Sequence, residues 1–239
     1  MKPKNLLLVV LISLVSLWAA VAPAAAQTQG PPKVQIPQSG VPQIMTMQGK
    51  FVRAAYNNEG YVILGYQVSN RSMGEPWMLL EVGITLREGV KEFKLARNAI
   101  SLETPDGKTI PLPTIEEYLK GSSQVQALQN RSKVQRDSIN YFPPSANRAC
   151  RLGFFADVGD RAMAWDEVEL SPTRACVGRL YFQLPGGIAY GQHWLNVPFP
   201  KSLVRVPFRI LTKEEEELLS EYYGDIEKQV KEAFTKKKN

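Results

Sequence analysis

The chain is poor in the side chains that carry most enzyme chemistry. Its 239 residues include one histidine, His193, and two cysteines, Cys150 and Cys176. A catalytic triad needs a base beside its nucleophile, and His193 would have to serve alone. No G-x-x-x-x-G-K-[ST], H-E-x-x-H, G-x-S-x-G or Ser-x-x-Lys pattern occurs. Those absences remove the usual phosphate cradle, zinc-protease helix, hydrolase elbow and penicillin-recognising layout. So few histidines and cysteines cannot supply a histidine-based zinc site. Met45 and Met47 offer two thioethers, which are read as packing at the start of the fold. Asp157-Val158-Gly159-Asp160 is the best acidic loop for calcium, but it lacks the alternating aspartate spacing and is read as a turn. Asp157, Asp160, Asp166, Glu167 and Glu169 lie close in sequence; glycoside hydrolysis needs two carboxylates facing each other across a cleft. The bland reading of such a cluster is a solvated face. No catalytic, cofactor-binding or metal-ligating residue is assigned, no cofactor is expected, and the chain is read as a non-enzyme.

Large charge imbalance is missing too. Loss of Lys2 and Lys4 with a cleaved leader lowers the formal net charge from +6 to +4. No basic stripe interleaved with aromatics appears, so nucleic acid is not an expected partner.

What is present starts at the N-terminus. Lys2 and Lys4 precede an apolar run over residues 6–18, then a small-residue stretch ending Ala24-Ala25-Ala26. This is the layout of a secretory signal peptide over residues 1–26. The apolar run falls short of the about 20 residues that span a bilayer. A periplasmic or extracellular protein with no integral span after cleavage is expected. In that setting the even cysteine count favours a Cys150–Cys176 disulfide, with each cysteine opening a strand-like segment in the same Arg-Ala-Cys context.

Residues 27–43 are rich in Pro, Gln and Gly and form a linker. From residue 44 the texture is β. Val62, Leu64, Tyr66 and Val68 alternate with their neighbours, as do Met78, Leu80, Val82, Ile84 and Leu86. Pro105-Asp106-Gly107 is a turn with a mechanism: Pro presets φ and Gly accepts positive φ. Residues 114–136 break the pattern, with Thr114 and Glu117 forming a capping box, and predict a short helical insertion. Strand texture resumes at residues 139–142, 151–155, 167–170, 179–184, 194–199 and 204–210. Pro207 inside the last run marks an edge strand or a bulge. The expected fold is mainly β, a β-sandwich over residues 44–211.

Thr212 and Glu215 form a second capping box, opening an amphipathic helix over residues 212–235 before a basic tail at 236–239. Its apolar stripe includes Leu218, Leu219, Tyr222 and Tyr223. Packing on the chain's own sheets, homo-oligomer formation through the helix or docking in a partner's groove, and a membrane-surface role are the readings; mixed charge on the polar face argues against the last. Trp77 falls on the outward register of its strand. Trp77 and Trp194, with Tyr222 and Tyr223, are the candidate surface contacts for an unknown protein or an envelope polysaccharide.

Residues 61–112 resemble immunoglobulin-like domains of exported bacterial proteins of unknown function. The carrying residues are Gln67-Val68-Ser69-Asn70-Arg71-Ser72, the strand from Trp77, and Ser101-Leu102-Glu103-Thr104-Pro105-Asp106-Gly107-Lys108. The mature chain as a whole looks like exported proteins of soil bacteria such as the acidobacteria. The resemblance implies an immunoglobulin-like antiparallel β-sandwich and carries over no site residue. The expectation is an exported, non-enzymatic binding or assembly module, with a carbohydrate-binding or carbohydrate-cleaving envelope protein as the alternative.

Overall fold

The computed structural model describes residues 43–135, 138–159 and 161–236, with side chains described as far as Asp225. The expected leader over residues 1–26, the linker up to residue 42, the last residue of the helical insertion and the tail over residues 237–239 lie outside the described residues. The molecule is mainly β, as expected. Along the chain come β1 (Ile44–Gly49), β2 (Val52–Tyr56), β3 (Gly60–Gly65), a single helical turn α1 (Gln67–Asn70) and β4 (Trp77–Leu86). β5 (Phe93–Ala96), β6 (Ser101–Glu103) and β7 (Thr109–Pro111) precede α2 (Ile115–Lys120) and α3 (Ser122–Val134). Then follow β8 (Arg148–Arg151), β9 (Glu167–Leu170), β10 (Arg174–Gln183), β11 (Gly191–Pro198), β12 (Leu203–Ile210) and α4 (Lys213–Lys236). Among the described residues no helix is long and apolar enough to cross a membrane.

The strands form a six-stranded sheet in the order β1-β2-β3-β4-β10-β8, a four-stranded sheet β12-β11-β6-β7 and a small β5-β9 pair. Among the described residues all pairings are antiparallel except one: β8 runs parallel to β10. That corrects the expectation of a purely antiparallel arrangement. The reason is the route of the chain, which returns from β8 through β9 before entering β10 in the same direction.

Local chemistry explains most boundaries. Asn57 closes the β2–β3 turn, its Oδ1 accepting from the backbone N–H of Glu59 at 2.8 Å and of Gly60 at 3.1 Å. The predicted turn at Pro105-Asp106-Gly107 joins β6 to β7, with Gly107 at φ 80° and its N–H bonded to the Thr104 carbonyl. Thr114 and Glu117 make both halves of the capping box that opens α2. The alternation from Val62 to Val68 does not continue as strand. β3 stops at Gly65, and Gln67–Asn70 turns helically because Ser69 bonds the Leu79 carbonyl and Ser72 bonds the Val68 carbonyl. Such short side-chain bonds offer the backbone an alternative to a ladder.

One apolar core joins the two larger sheets. It contains Met78, Leu80, Val82, Ile84 and Leu86 of β4 with Leu195 and Val197 of β11 and Val204, Val206 and Phe208 of β12. The inward alternation of β12 is as expected, and β12 is an edge strand. Pro207 therefore sits where the missing N–H costs no sheet bond. On the same edge the Gln43 carboxamide accepts from the Arg205 N–H at 2.9 Å and donates to the Arg205 carbonyl at 2.5 Å.

All ten residues of β4 are buried, because its other face is covered too. Trp77 lies under the α2–α3 junction, where a Cβ on Gly121 would come within 2.4 Å of the indole. Residues 139–142, expected as a strand, instead form an irregular strap across the sheet. A Cβ on Gly83 would sit 2.4 Å from the Phe142 ring, so glycine at that position lets the strap lie close. Likewise the strand expected over residues 151–155 ends at Arg151.

The disulfide is formed. Cys150 and Cys176 stand directly opposite each other across β8 and β10, with the two Arg-Ala-Cys tripeptides in parallel register. β8 is a four-residue edge strand, and the bond pins it. Replacing both cysteines by alanine is expected to lower stability by about 3 kcal/mol, the value for a loop of this order. Urea unfolding of the variant against oxidised wild type measures it.

Candidate functional site

A groove of about 650 Å³ opens on the covered face of the six-stranded sheet. Its floor is Glu81 of β4 with Val177, Gly178 and Arg179 of β10. The strap forms one wall, through Ile139, Asn140 and Phe142, and the segment after β8 forms the other, through Arg151, Leu152 and Phe155. The second wall approaches closely because β10 has glycine there: a Cβ on Gly178 would lie 2.3 Å from the Leu152 carbonyl oxygen. The volume falls in the range of about 300–1,000 Å³ typical of small-molecule sites.

The floor is ionic. Arg179 Nη1 donates to both oxygens of Asp157, at 3.0 and 2.9 Å, and its Nε lies 3.9 Å from Glu81. Burial works against the Arg179 charge, but the neighbouring Asp157, with Glu81, holds its pKa above the usual value. Behind it stands a buried hydrogen-bond network. Gln129 of α3 donates to the Tyr118 hydroxyl at 3.1 Å and to the Tyr181 hydroxyl at 3.0 Å. Its Oε1 accepts from the Val158 N–H at 3.0 Å, and Tyr118 donates to the Ala156 carbonyl at 2.5 Å. Burial pushes the Tyr118 phenol up to about 12 and pushes Tyr181 up as well. Both hydroxyls therefore stay protonated at neutral pH. The network holds residues 156–158 from both sides, which places Asp157 over Arg179.

Arg179 is paired with two carboxylates, and among the described residues neither a thiol nor an imidazole lines the groove. Among the described residues no group of three His, Cys, Asp or Glu side chains is placed to hold a metal ion.

The candidate surface contacts named from the sequence lie elsewhere. Trp77 is 2% exposed and Trp194 is 6% exposed, so neither is a surface contact. Helices cover the first. The second carries the Arg205 guanidinium 4.8 Å from its ring, with Arg205 itself held by Glu103 at 2.5 Å and Asn196 at 3.2 Å. Tyr222 is 62% exposed, whereas Tyr223 is half-buried and donates to the Gly49 carbonyl at 2.9 Å. α4 docks by its first turns. Thr212 and Glu215 make the expected capping box, Glu215 pairs with Arg209 at 2.6 Å, and Glu216 pairs with Lys50 at 2.9 Å. Leu218, 67% exposed, stays outside that contact. Asp157 is more than a turn residue, since it carries the main Arg179 pair; Asp160 lies outside the described residues.

Glu81, Arg179 and Arg151 were not marked in the sequence. The signal that finds the first two is a charged residue inside an otherwise apolar strand: Glu81 within Trp77–Leu86, and Arg179 between Gly178 and Leu180. Truncating Arg179 to methionine leaves Glu81 buried without its guanidinium. We expect a loss of about 1–3 kcal/mol, with part recovered when Glu81→Gln is added. A double-mutant cycle by urea unfolding measures the coupling.

His193 belongs to the core. It is fully buried, stacks on Phe208 at 5.3 Å, and bonds the Gly191 carbonyl through Nδ1 at 3.0 Å. Among the described residues its Nε2 has no partner. Burial lowers its pKa, opposed by the Gly191 bond and by Asp106. The unfolded chain takes up a proton as pH falls through about 6.5, while the folded ring stays neutral to lower pH. This contribution is thus complete above pH of about 6.5 and is lost as pH falls below it. In the His193→Leu variant the decline of stability between pH 7 and about pH 5.5 is expected to be shallower, as read by urea midpoints at each pH.

Comparison with protein-family models, curated proteins and solved structures finds no match, so the site rests on its geometry.

Proposed function

We propose that this chain is an exported, non-enzymatic binding module, an immunoglobulin-like β-sandwich whose binding place is the groove over β4 and β10. The observation that carries the reading is a ligand-sized groove on a rigid sheet, with its floor charges already paired and no nucleophile–base couple along it. Export is supported by the leader layout of residues 1–26 and by a formed disulfide, and it places the module in the periplasm or outside the cell. The carbohydrate alternative loses the exposed tryptophans that motivated it, since Trp77 and Trp194 are both buried.

Val177 lies on the groove floor and is partly exposed, so Val177→Trp fills the groove without entering the core. A library of envelope-derived peptides, acids and sugars is added to isotope-labelled mature protein and followed by amide NMR. Library members are expected to move the Gly178 and Arg179 signals in wild type and to leave them still in Val177→Trp. Shifts confined to other surfaces, or chemical turnover of a library member, would overturn the reading.

A further inference from the structure

We propose that β1 is an interface between two copies of this chain: their β1 strands pair antiparallel about a two-fold axis at Thr46 and join two six-stranded sheets into one. No described groove residue belongs to β1. A strand at a sheet margin presents unpaired N–H and C=O groups, and proteins guard such margins with charge, proline, shortness or a cover. Among the described residues the other margins carry such guards. β12 has Pro207 and the Gln43 amide. β8 has four residues and is bounded by Arg148 and Arg151. β7 has three and ends in Pro111. The β5–β9 pair carries Lys94 and Glu169. β1 is the remaining margin, at one end of the six-stranded sheet. Its six residues, Ile44-Met45-Thr46-Met47-Gln48-Gly49, hold no charge and no proline. Ile44 is 53% exposed and Met47 is 49% exposed. Beside them Tyr141, also exposed, donates its hydroxyl to the Gln48 carbonyl at 3.1 Å and lengthens the apolar strip.

The strand's own pattern selects its occupant and its register. Paired with itself, an uncharged strand sets no like charges opposite each other, whereas two β8 strands would bring four arginines together. A two-fold pairing also consumes both bare margins at once. It leaves an arginine-guarded β8 at each end of the joined sheet, so the assembly closes at two copies. The bulge between Met47 and Gly49 ends the regular stretch at Met47. Residues opposed across a ladder project to the same face, so the axis passes through a residue rather than between two. With Thr46 on the axis, the exposed Met47 of each copy stands opposite Met45 of the other, and Met45 packs against the core. The apolar layer under the sheet then runs from one copy into the next. The two Thr46 side chains face each other, a favourable cross-strand pair.

The mature chain is followed by sedimentation velocity from about 1 to about 100 μM, the span in which a small interface associates. Circular dichroism checks the fold of each variant. Wild type is expected to pass from monomer to dimer. Thr46→Lys sets two ammonium groups face to face, and Met47→Lys removes the apolar contact from an exposed position where folding is not at stake. Both are expected to stay monomeric over the range. Mixing Thr46→Lys with Thr46→Glu is expected to restore the dimer, because opposite charges then meet. Thr46→Cys tests the register. Both native cysteines are held in the disulfide, so the new thiol is the one free to react. Opposed residues of an antiparallel ladder stand within disulfide reach. Mild oxidation is expected to give a covalent dimer of Thr46→Cys and none of Lys94→Cys on β5. A wild-type chain that stays monomeric throughout overturns the proposal. So does a dimer that survives both lysine variants, which then belongs to another surface such as α4, or one whose Thr46→Cys form does not cross-link.

Discussion

The structure depends on burying one sheet from both sides. β4 lies near the middle of the six-stranded sheet, and all ten of its residues are buried. Its even-numbered side chains enter the core shared with β11 and β12. Its odd-numbered ones need a second cover, which the chain builds from α2, α3 and the strap over residues 139–142. Fully burying a side chain such as Leu79 or Trp77 is worth about 1.5–3 kcal/mol for an aliphatic and more for an indole. Without the helical insertion that apolar surface would face water. The insertion is thus part of the fold's stability, and the groove is the gap its cover leaves open.

The second cover is not wholly apolar, and that shapes the site. Where the strap and the segment after β8 part, the sheet carries Glu81 and Arg179. A buried ion pair is weak evidence for net stability, because desolvation offsets much of the attraction. It fixes position well, however. Asp157 and Glu81 hold the guanidinium from two directions, and Gln129 ties Tyr118, Tyr181 and Val158 into one connected network. Such a network rigidifies its surroundings only when its members are satisfied. The floor of the groove therefore has a defined shape before anything binds.

Much of this was legible in the chain, and the failures have physical causes. Period-two alternation located β4 and β12, and Pro207 marked an edge. The Pro-Asp-Gly turn, both capping boxes and the cysteine pair were local signals, and local signals read well. The strap carries a misleading local signal: Ile139 and Phe142 are apolar at strand-like spacing, yet they pack as plugs over Gly65 and Gly83. Trp77 was placed on the right face, but whether that face is wet depends on a helix about 40 residues away. Trp194 is covered by an arginine on the next strand. The groove was invisible for the same reason: Glu81, Arg179 and the pair Arg151 and Asp157 come from three separate stretches, and no spacing rule links them.

The treatment of β12 has a consequence for the behaviour of many copies together. A bare sheet margin is a template on which a neighbouring molecule can add its own strand and start a polymer. Here Pro207 removes a donor from that margin, and the Gln43 amide occupies the donor and acceptor of Arg205 in the manner of a peptide bond. The chain has in effect docked a one-residue imitation of a strand along its own flank, which denies that flank to fibril growth at high local concentration.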